Sequence, residues 1–339
     1  MKKNLVMVVS FVLLLCFVTA CTVIDNRNVA TVNGESIKLG SFNYYIQVSK
    51  SVIAQAAGTQ VDANFWATAD LGGKKAGDVA KEQALDQAIN DVIISQKAKE
   101  MGIVIDDAGK QAIGKQKGDM IQQFGGQEQY LAEIKKYNIT DKDISDSIEK
   151  SYLKQKLFEK LSAEDATFKV EPAALKDYYS KNFMKARHIL LSTVDDKQQP
   201  LPQDQIDAAK NKADQLLAQL KAGADFGKLM TDNSQDPGSK TQPDGYVFGK
   251  GEMVKEFEDA TAALKDGELS PVVQSQFGYH IIQRLNLMEA YDKYIADAQS
   301  KTKVENGIRS EIFNKKIEEW KSAAKVVKND TELKNVVVK

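Results

Sequence analysis

The chain has 339 residues, and its 46 lysine and arginine residues nearly balance its 47 aspartate and glutamate residues, so the formal net charge is −1. Acidic and basic residues are interspersed along the chain without a basic stripe, which argues against a nucleic-acid-binding protein. A mature chain of this size is long enough for two hydrophobic cores. The sequence contains only two histidines and two cysteines, so each of these four residues is informative.

The first twenty residues have the order of charge and apolar residues that is typical of a secretory signal. Lys2 and Lys3 precede an almost unbroken apolar run of sixteen residues, which is short for a membrane-spanning helix. The junction Val18-Thr19-Ala20-Cys21 resembles the lipobox of bacterial lipoproteins, in which the cysteine receives lipid and becomes the new N-terminus. We therefore predict a lipoprotein signal peptide over 1–20 and a lipidated tether over 21–28. The alternative is an ordinary signal with a chance cysteine.

This processing would remove all free thiols from the mature protein. Cys16 would leave with the signal and Cys21 would carry lipid, so no disulfide framework is expected. A zinc site needs three or four ligands, and two histidines cannot supply them, so we predict no metal and no other cofactor. Stable anchoring requires more than one acyl chain, and a diacylated Cys21 would hold the protein on a bacterial membrane, outside the cytoplasm, without a spanning helix.

Residues 29–182 predict a helical lobe that begins with a β-hairpin. The hairpin over 29–39 turns at Asn33-Gly34, a pair that accepts the positive φ values of a tight turn. Helical spacing of apolar residues then predicts five helices, at 40–57, 77–101, 106–124, 126–137 and 140–163. The apolar stripes of these helices either form a groove for client proteins or pack neighbouring helices together, and packing is the commoner use of such a stripe.

A change in composition marks a separate domain over 183–287. All six prolines of the chain lie between Pro172 and Pro271, and the glycines concentrate in the same stretch. The pattern predicts a small mixed sheet interrupted by helices, an α+β arrangement, with strands at 185–192, near 271–274 and at 278–286, and helices at 203–222, 225–233 and 255–264. His188 and His280 lie in the first and last of these strands, so pairing of the two strands would bring both imidazoles together.

The helical pattern resumes over 288–326. Its apolar face cannot stay exposed in water, and the simplest partner is the upstream helical lobe. We therefore predict that this segment rejoins the lobe, which would make the domain over 183–287 an insertion. Residues 327–339 predict a loose tail.

Six short motifs in this inserted domain resemble, in the same order, those of parvulin-type peptidyl-prolyl isomerases. They are Ala186-Arg-His-Ile-Leu-Leu191, Gly223-Ala-Asp-Phe226, Asn233-Ser-Gln-Asp-Pro237, Gly249-Lys-Gly-Glu-Met-Val-Lys-Glu-Phe257, Gly267-Glu-Leu-Ser-Pro271 and Gly278-Tyr-His-Ile-Ile282. Residues 29–34, 101–106 and 137–144 are similar to the helical lobe of PrsA-type foldase lipoproteins and SurA-type chaperones. The resemblance implies a parvulin, or PpiC-type rotamase, domain inserted between parts of a mainly α-helical chaperone lobe.

The resemblance also implies two groups of site residues. The polar group holds the paired active-site histidines and the family's cysteine-or-aspartate position, and it consists of His188, Asp236 and His280. The apolar group receives the substrate proline, and it consists of Met253, Phe257 and Phe277, the last of them near the rim. Met253 and Phe257 are four residues apart and would share one face of a helix. We expect the histidines to hold the shape of the site more than to move protons.

One segment departs from the family pattern. The family commonly has Gly-Gly-Asp-Leu-Gly before an aromatic residue, whereas residues 242–246 read Gln-Pro-Asp-Gly-Tyr. Proline fixes φ near −65° and cannot replace a glycine that needs a positive φ, so we expect this loop to differ locally. No cluster of arginine or lysine follows His188, which argues against a phosphate-directed member of the family.

These features together predict a lipid-anchored, extracytoplasmic peptidyl-prolyl cis–trans isomerase and chaperone. Its partners would be unfolded or partly folded secreted proteins with X-Pro bonds. The altered loop over 242–246 motivates a second hypothesis, a holdase chaperone whose parvulin domain is catalytically idle. A third, a solute-binding lipoprotein, follows only from export and anchoring, and the helical flanks argue against it.

Overall fold

A computed structural model describes residues 27–57 and 61–338 of the chain. The described residues divide into two compact units, one formed by those up to residue 160 and from 317 to 338, and the other by 161–316. The predicted signal peptide and the predicted lipidation site, Cys21, lie outside the described residues. Within the described ranges, no helix combines the length and the apolar character that a membrane span requires.

The first unit contains a small antiparallel sheet and most of the long helices. Strands β1 (Asn28–Val32) and β2 (Glu35–Lys38) form the predicted hairpin, with positive φ values at both turn residues, 51° at Asn33 and 88° at Gly34. The helices are α1 (Leu39–Ala57), α2 (Ala63–Thr68), α3 (Ala76–Glu100), α4 (Asp107–Gln123), α5 (Gln127–Lys136) and α6 (Asp141–Glu164), which runs past residue 160. The hairpin and the five predicted helices are therefore confirmed.

The apolar stripe of α6 is used for packing. Ile144 and Ile148 are buried in one cluster with Tyr130 and Ile134 of α5. Thr140 and Asp143 form a reciprocal capping box at the start of the helix, since each donates its backbone N–H to the side chain of the other, at 2.9 and 3.2 Å. The packing alternative thus holds for this helix.

Residues 326–335 form regular secondary structure, so the prediction of a loose tail over 327–339 is wrong for these residues. Strand β7 (Val326–Lys328) pairs antiparallel with β1, and a short helix, α14 (Asp330–Asn335), follows it. Val326 and Leu333 pack against the core that contains Val29 and Val32. The physical reason is that β1 would otherwise present an open edge of unpaired backbone groups, and β7 covers that edge.

The second unit is built on a four-stranded sheet with the order β4-β3-β6-β5. The strands are β3 (Phe183–Ser192), β4 (Tyr246–Gly249), β5 (Val273–Ser275) and β6 (Gly278–Arg284). The surrounding helices are α7 (Pro172–Asn182), α8 (Gln203–Lys221), α9 (Phe226–Asn233), α10 (Gly238–Thr241), α11 (Lys255–Ala262), α12 (Tyr291–Ala296) and α13 (Ala298–Ala323), which continues past residue 316. The α+β arrangement is confirmed, but all three strand pairs are antiparallel, so the sheet is not mixed.

The two faces of this sheet bury different side chains, because successive residues of a strand point to opposite sides. Ile189 and Ile281 belong to a cluster that α8 and α9 cover. Ala186 and Ile282 face the other side, in a cluster with Phe257 of α11. His188 and His280 have the same parity as this second pair, so the imidazoles lie on the face that α11 covers.

The segment over 288–326 does not pack as one piece. Its first half lies in the second unit, where Val304 and Ile308 of α13 pack against Tyr179 of α7 and Phe183 of β3. Only the later part, with Trp320, packs against the core of the first unit. The second unit, 161–316, is therefore longer than the domain predicted over 183–287. The reason is that α7, before the sheet, and the first part of α13, after it, both pack onto the sheet domain.

Candidate active site

Pairing of β3 with β6 brings the two histidines together, as predicted. In the antiparallel register His188 lies opposite Ile282 and His280 lies opposite Leu190, so the histidines are diagonal neighbours on one face. The centroids of the two imidazole rings are 5.3 Å apart and the ring planes meet at 77°. The edge of one ring therefore faces the plane of the other.

Both imidazoles are buried, and burial controls their protonation. His188 is 8% exposed and His280 is 4% exposed. Burial lowers the pKa of His188, an effect that the nearby Asp236 carboxylate opposes. Burial and the neighbouring His188 lower the pKa of His280 to about 4. Both rings are therefore neutral at pH 7.

The hairpin of β5 and β6 fixes the orientation of His280. The hydroxyl group of Ser275 lies 2.8 Å from Nε2 of His280, and it also accepts a 3.1 Å hydrogen bond from the backbone N–H of Phe277. Neither ring nitrogen of His188, nor Nδ1 of His280, has a hydrogen-bond partner among the described residues. The histidines thus serve as packed, uncharged parts of the site floor.

Asp236 lies at the edge of this floor, in the segment between α9 and α10. One oxygen of its carboxylate, Oδ2, is 3.6 Å from Nε2 of His188, beyond a good hydrogen bond. The same oxygen accepts hydrogen bonds from the Tyr246 hydroxyl at 2.5 Å and the Ser239 hydroxyl at 3.0 Å. Partial burial alone would raise the pKa of Asp236, but these hydrogen bonds and His188 outweigh it and lower the pKa. The carboxylate is ionised at neutral pH.

Phe257 forms the apolar centre of the site. Its ring centroid lies 5.1 Å from that of His188, 5.7 Å from that of His280 and 5.7 Å from that of Phe248. Only 3% of Phe257 is exposed, so its main contribution is to pack beneath the two imidazoles, and little of its ring is accessible to a ligand. The four rings that meet here come from four separate elements of the sequence, β3, β4, β6 and α11.

Met253 belongs to the same cluster but does not share a helix face with Phe257. Helix α11 begins at Lys255, so Met253 lies in the turn before it, and the predicted geometry is wrong on this point. The Glu258 carboxylate accepts the backbone N–H of Met253 at 3.1 Å and that of Glu252 at 2.9 Å. These hydrogen bonds hold the turn that precedes the first residue of the helix, Lys255. Half-buried, Met253 retains accessible apolar surface beside Phe257.

Phe277 lies in the turn between β5 and β6, where it is partly exposed. Its carbonyl oxygen accepts a 3.1 Å hydrogen bond from Thr193 N–H. It does not belong to the apolar cluster around Phe257. The structure therefore brings His188, His280, Asp236, Met253 and Phe257 together, with Phe277 farther out on the hairpin turn.

The altered loop over 242–246 is a regular turn. The backbone N–H of Gly245 donates to Gln242 O at 2.9 Å, which places Pro243 at the turn position that favours its fixed φ. Gly245 has a φ of 85°, and a Cβ atom there would lie 2.5 Å from the carbonyl oxygen of Ala186. The loop differs locally, as expected, and it supplies its positive φ at Gly245.

Three polar residues of the site were not identified as such in the sequence. They are Ser239 and Tyr246, whose hydroxyl groups donate to the Asp236 carboxylate, and Ser275, whose hydroxyl group is hydrogen-bonded to His280. Serine and tyrosine are common surface residues, and the hairpin and the two loops that place them are set by contacts far apart in the chain. The one available signal was the position of Tyr246 at the end of the altered loop.

The site can bind a peptide, and rotation about a peptide bond requires no nucleophile. Neutral imidazoles, an aromatic ring and a thioether form its floor, and one carboxylate lies at its edge. Among the described residues, no three histidine, cysteine, aspartate or glutamate side chains are placed to hold a metal ion together. Such a surface suits conformational chemistry on a bound peptide, in which no covalent bond breaks.

Comparison with known proteins finds a matching family for each of two parts of the chain. Residues 174–287 match the PPIC-type PPIase domain, and residues 1–184 match the SurA-like N-terminal domain. A protein named foldase protein PrsA from Clostridium botulinum is 28% identical, with 96% of each chain covered, and one of the same name from Caldanaerobacter subterraneus is 27% identical, with 88% of this chain and 86% of that protein covered.

Two solved structures are also similar. The crystal structure of the peptidylprolyl isomerase PrsA from Bacillus anthracis covers 75% of this chain and 99% of its own, at 25% identity and a TM-score of 0.30. The solution structure of NmPin, a parvulin of Nitrosopumilus maritimus, is 38% identical over 31% of this chain and 97% of its own, with a TM-score of 0.24.

The SurA-like match covers more than half of the chain, and the isomerase match includes every site residue from His188 to His280. The chain therefore belongs to the SurA-like family, as a foldase-type member that carries a PPIC-type, or parvulin, peptidyl-prolyl isomerase domain.

Proposed function

We propose that this isomerase is an extracytoplasmic, lipid-anchored foldase that isomerises X-Pro bonds in exported proteins and also acts as their chaperone. The observation that carries the proposal is the buried floor of His188, His280 and Phe257 beside an ionised Asp236, inside the residues that match a PPIC-type PPIase domain. The relatives named foldase protein PrsA support the wider role.

The reaction is rotation about a peptide bond. Its barrier of about 18–20 kcal/mol arises from amide resonance, which is lost when the bond twists. In the twisted state the carbonyl group leaves conjugation and the proline nitrogen becomes less delocalised. A catalyst must therefore hold the twisted form better than either planar form. Lowering the barrier by about 4–6 kcal/mol would accelerate the rotation about 10³- to 10⁴-fold.

The floor of the site suits this task because it is apolar and uncharged. Met253 offers accessible apolar surface next to the buried ring of Phe257, and we assign these two residues to the grip on the proline ring. Phe277, on the hairpin turn, would contact the substrate at the rim. Water held near an amide favours the planar, polar ground state, so an apolar floor of neutral imidazoles favours twisting.

The Asp236 carboxylate supplies a negative charge at the edge of the floor. It is available to orient the peptide through a backbone N–H next to the twisting bond, and a hydrogen bond of this kind is strong because the acceptor is ionised. No proton transfer is needed in this scheme. The histidines act through their shape and their lack of charge.

A refolding experiment tests the function and separates it from the idle-domain holdase. The client is an unfolded protein whose slow refolding phase is limited by proline isomerisation. A foldase accelerates this phase at substoichiometric amounts, because each molecule turns over many times. Suppression of client aggregation without any acceleration of the slow phase would instead establish the holdase alternative.

The lipid anchor has its own test. We expect the full chain, expressed in a bacterium with lipoprotein processing, to incorporate labelled palmitate and to sediment with the membranes. Cys21→Ser should abolish the label and release the protein, whereas Cys16→Ser should leave both unchanged, since Cys16 lies in the predicted signal. Labelling that persists in Cys21→Ser would refute lipidation at this position.

A further inference from the structure

Tyr246 contacts both His188 and Asp236, and the proposed isomerase reaction does not yet give this residue a role. It is the first residue of β4 and lies opposite Ala186 in the β3–β4 ladder. Its ring is stacked on the imidazole of His188, with the centroids 5.9 Å apart and the planes inclined by 22°. One face of His188 thus lies against Tyr246, while the ring of Phe257 lies at 77° to it, 5.1 Å away.

The hydroxyl group of Tyr246 extends past His188 to Asp236. It donates a 2.5 Å hydrogen bond to Oδ2, the same oxygen that lies 3.6 Å from Nε2 of His188. The hydroxyl lies directly on the backbone at Gly238, where a Cβ atom would come within 1.8 Å of it. Only glycine at position 238 leaves room for this contact, so the segment that carries Asp236 and Gly238 accommodates the Tyr246 hydroxyl group.

The groups that face the Asp236 carboxylate come from four elements. His188 faces it from β3, His280 from β6, Tyr246 from β4 and Ser239 from α10. At neutral pH neither imidazole carries a positive charge, because burial lowers the pKa of both. Of these four groups, the hydroxyls of Tyr246 and Ser239 therefore stabilise the negative charge.

We propose that Tyr246 is a positioning residue of this isomerase, which fixes the Asp236 carboxylate through its hydroxyl group and the His188 imidazole through its ring. The inference rests on the proposed function, since it concerns the same site. The loop that departs from the family pattern ends at this tyrosine, so the departure brings a hydrogen-bond donor to the site. Tyr246 acts through Asp236 and His188 and needs no contact with the substrate.

The ring and the hydroxyl can be tested separately. Tyr246→Phe keeps the ring over His188 and removes only the donor to Asp236. The carboxylate then loses one charge-assisted hydrogen bond while its burial remains, so Asp236 should take up its proton at a pH about one unit higher. The fall in kcat/KM on the acidic side should move to higher pH with it, and kcat at neutral pH should fall about tenfold.

The experiment compares the wild-type chain, Tyr246→Phe and the matched control Tyr178→Phe, each from residue 22 onward. Tyr178 also lies in the second unit, with its ring against Phe183 and not against the site. The Asp236 carboxyl carbon is followed by NMR over pH 3–7, and kcat/KM for an X-Pro peptide is measured over the pH range in which each chain remains folded. We expect both midpoints to shift in Tyr246→Phe and neither to shift in Tyr178→Phe.

An Asp236 titration and a pH profile that are the same in Tyr246→Phe as in the wild type would overturn the inference. Failure of the proposed function would look different. The wild-type chain would then show no isomerase activity, whereas the NMR titration would still report whether Tyr246 fixes Asp236. A shift of the carboxyl titration with unchanged kcat/KM in an active enzyme would also overturn the positioning role.

Discussion

His188 and His280 owe their properties to burial and not to a charged partner. Asp236 lies 3.6 Å from His188, close enough to attract a protonated imidazole but too far for a good hydrogen bond. Burial therefore decides the outcome and keeps both rings neutral. A neutral imidazole that packs among aromatic rings resembles another aromatic side chain, and this suits the structural role that we propose for the two histidines.

Because the chain contains only two histidines, their titration is directly observable. We expect the imidazole resonances of the folded protein to show one midpoint near pH 4, for His280, and one below the ordinary value of about 6.5, for His188. The urea-unfolded chain is the control, and both its histidines should titrate near 6.5. A folded-state midpoint at or above 6.5 for either ring would contradict the neutral floor.

The same titration links the histidines to stability. Below about pH 6.5 the unfolded imidazole of His280 binds a proton, whereas the folded one binds it only near pH 4. In this window the unfolded state holds more protons, so the free energy of unfolding falls as the pH falls, by up to about 1.4 kcal/mol per pH unit for this residue. The stabilisation that comes from the neutral His280 is fully present above about pH 6.5, the pKa of the unfolded imidazole.

The long elements were predictable from sequence because each has a strong apolar period and clear end signals. The hairpin at Asn33-Gly34 and helices α3 to α6 needed only local information. The start of α11 at Lys255 was predicted correctly, but the shared helix face of Met253 and Phe257 was not, because Met253 lies in the turn before the helix, where the Glu258 carboxylate accepts its backbone N–H. The short helix α10 was missed because four residues carry no period.

The loop before β4 positions Tyr246, and it depends on Gly245. Gly245→Ala would force a side chain to a φ of 85° and place its Cβ atom against the carbonyl oxygen of Ala186. We expect a loss of about 2–3 kcal/mol in the free energy of unfolding of the second unit, measured by urea unfolding with the histidine resonances as the probe.

Gly267→Ala is the matched control for this variant. Gly267 has nearly the same φ, 86°, but no atom lies within 4 Å of its added Cβ atom. Its loss should be limited to the conformational cost, about 1 kcal/mol. Equal losses in the two variants would show that the contact with Ala186 does not hold the loop.

At the scale of the whole molecule, the sequence predicted most of the long helices but not which unit they join. Residues 298–316 and the later part of the same helix, α13, bury their apolar positions in different cores. The pairing of β7 with β1 joins residues almost three hundred positions apart, so no local pattern could predict it. The β-branched residues of 326–328 suited a strand, but the partner strand lay at the other end of the chain.

The C-terminal segment should therefore contribute to the stability of the first unit. Leu333→Ala removes apolar surface that packs on the core with Val29, and we expect it to lower the free energy of unfolding by about 1–2 kcal/mol. Tryptophan fluorescence during urea unfolding reports on this unit, because both tryptophans, Trp66 and Trp320, lie in it.

Val337→Ala provides the comparison within the same segment, since Val337 is 70% exposed. Its effect should lie within about 0.5 kcal/mol of zero. If Leu333→Ala were equally neutral, the C-terminal segment would lie on the unit without stabilising it, and the role assigned to β7 and α14 would be wrong.

The central claim is that the floor beside Met253 catalyses X-Pro isomerisation, and kcat/KM for a short X-Pro peptide tests it most directly. Met253 is only half-buried, so Met253→Ala should remain folded, and Met288→Ala, at an exposed position after β6, is the matched control. The account predicts an active wild-type chain, a loss of about tenfold in Met253→Ala and no change in Met288→Ala. An inactive wild-type chain, or an unchanged rate in folded Met253→Ala, would contradict it.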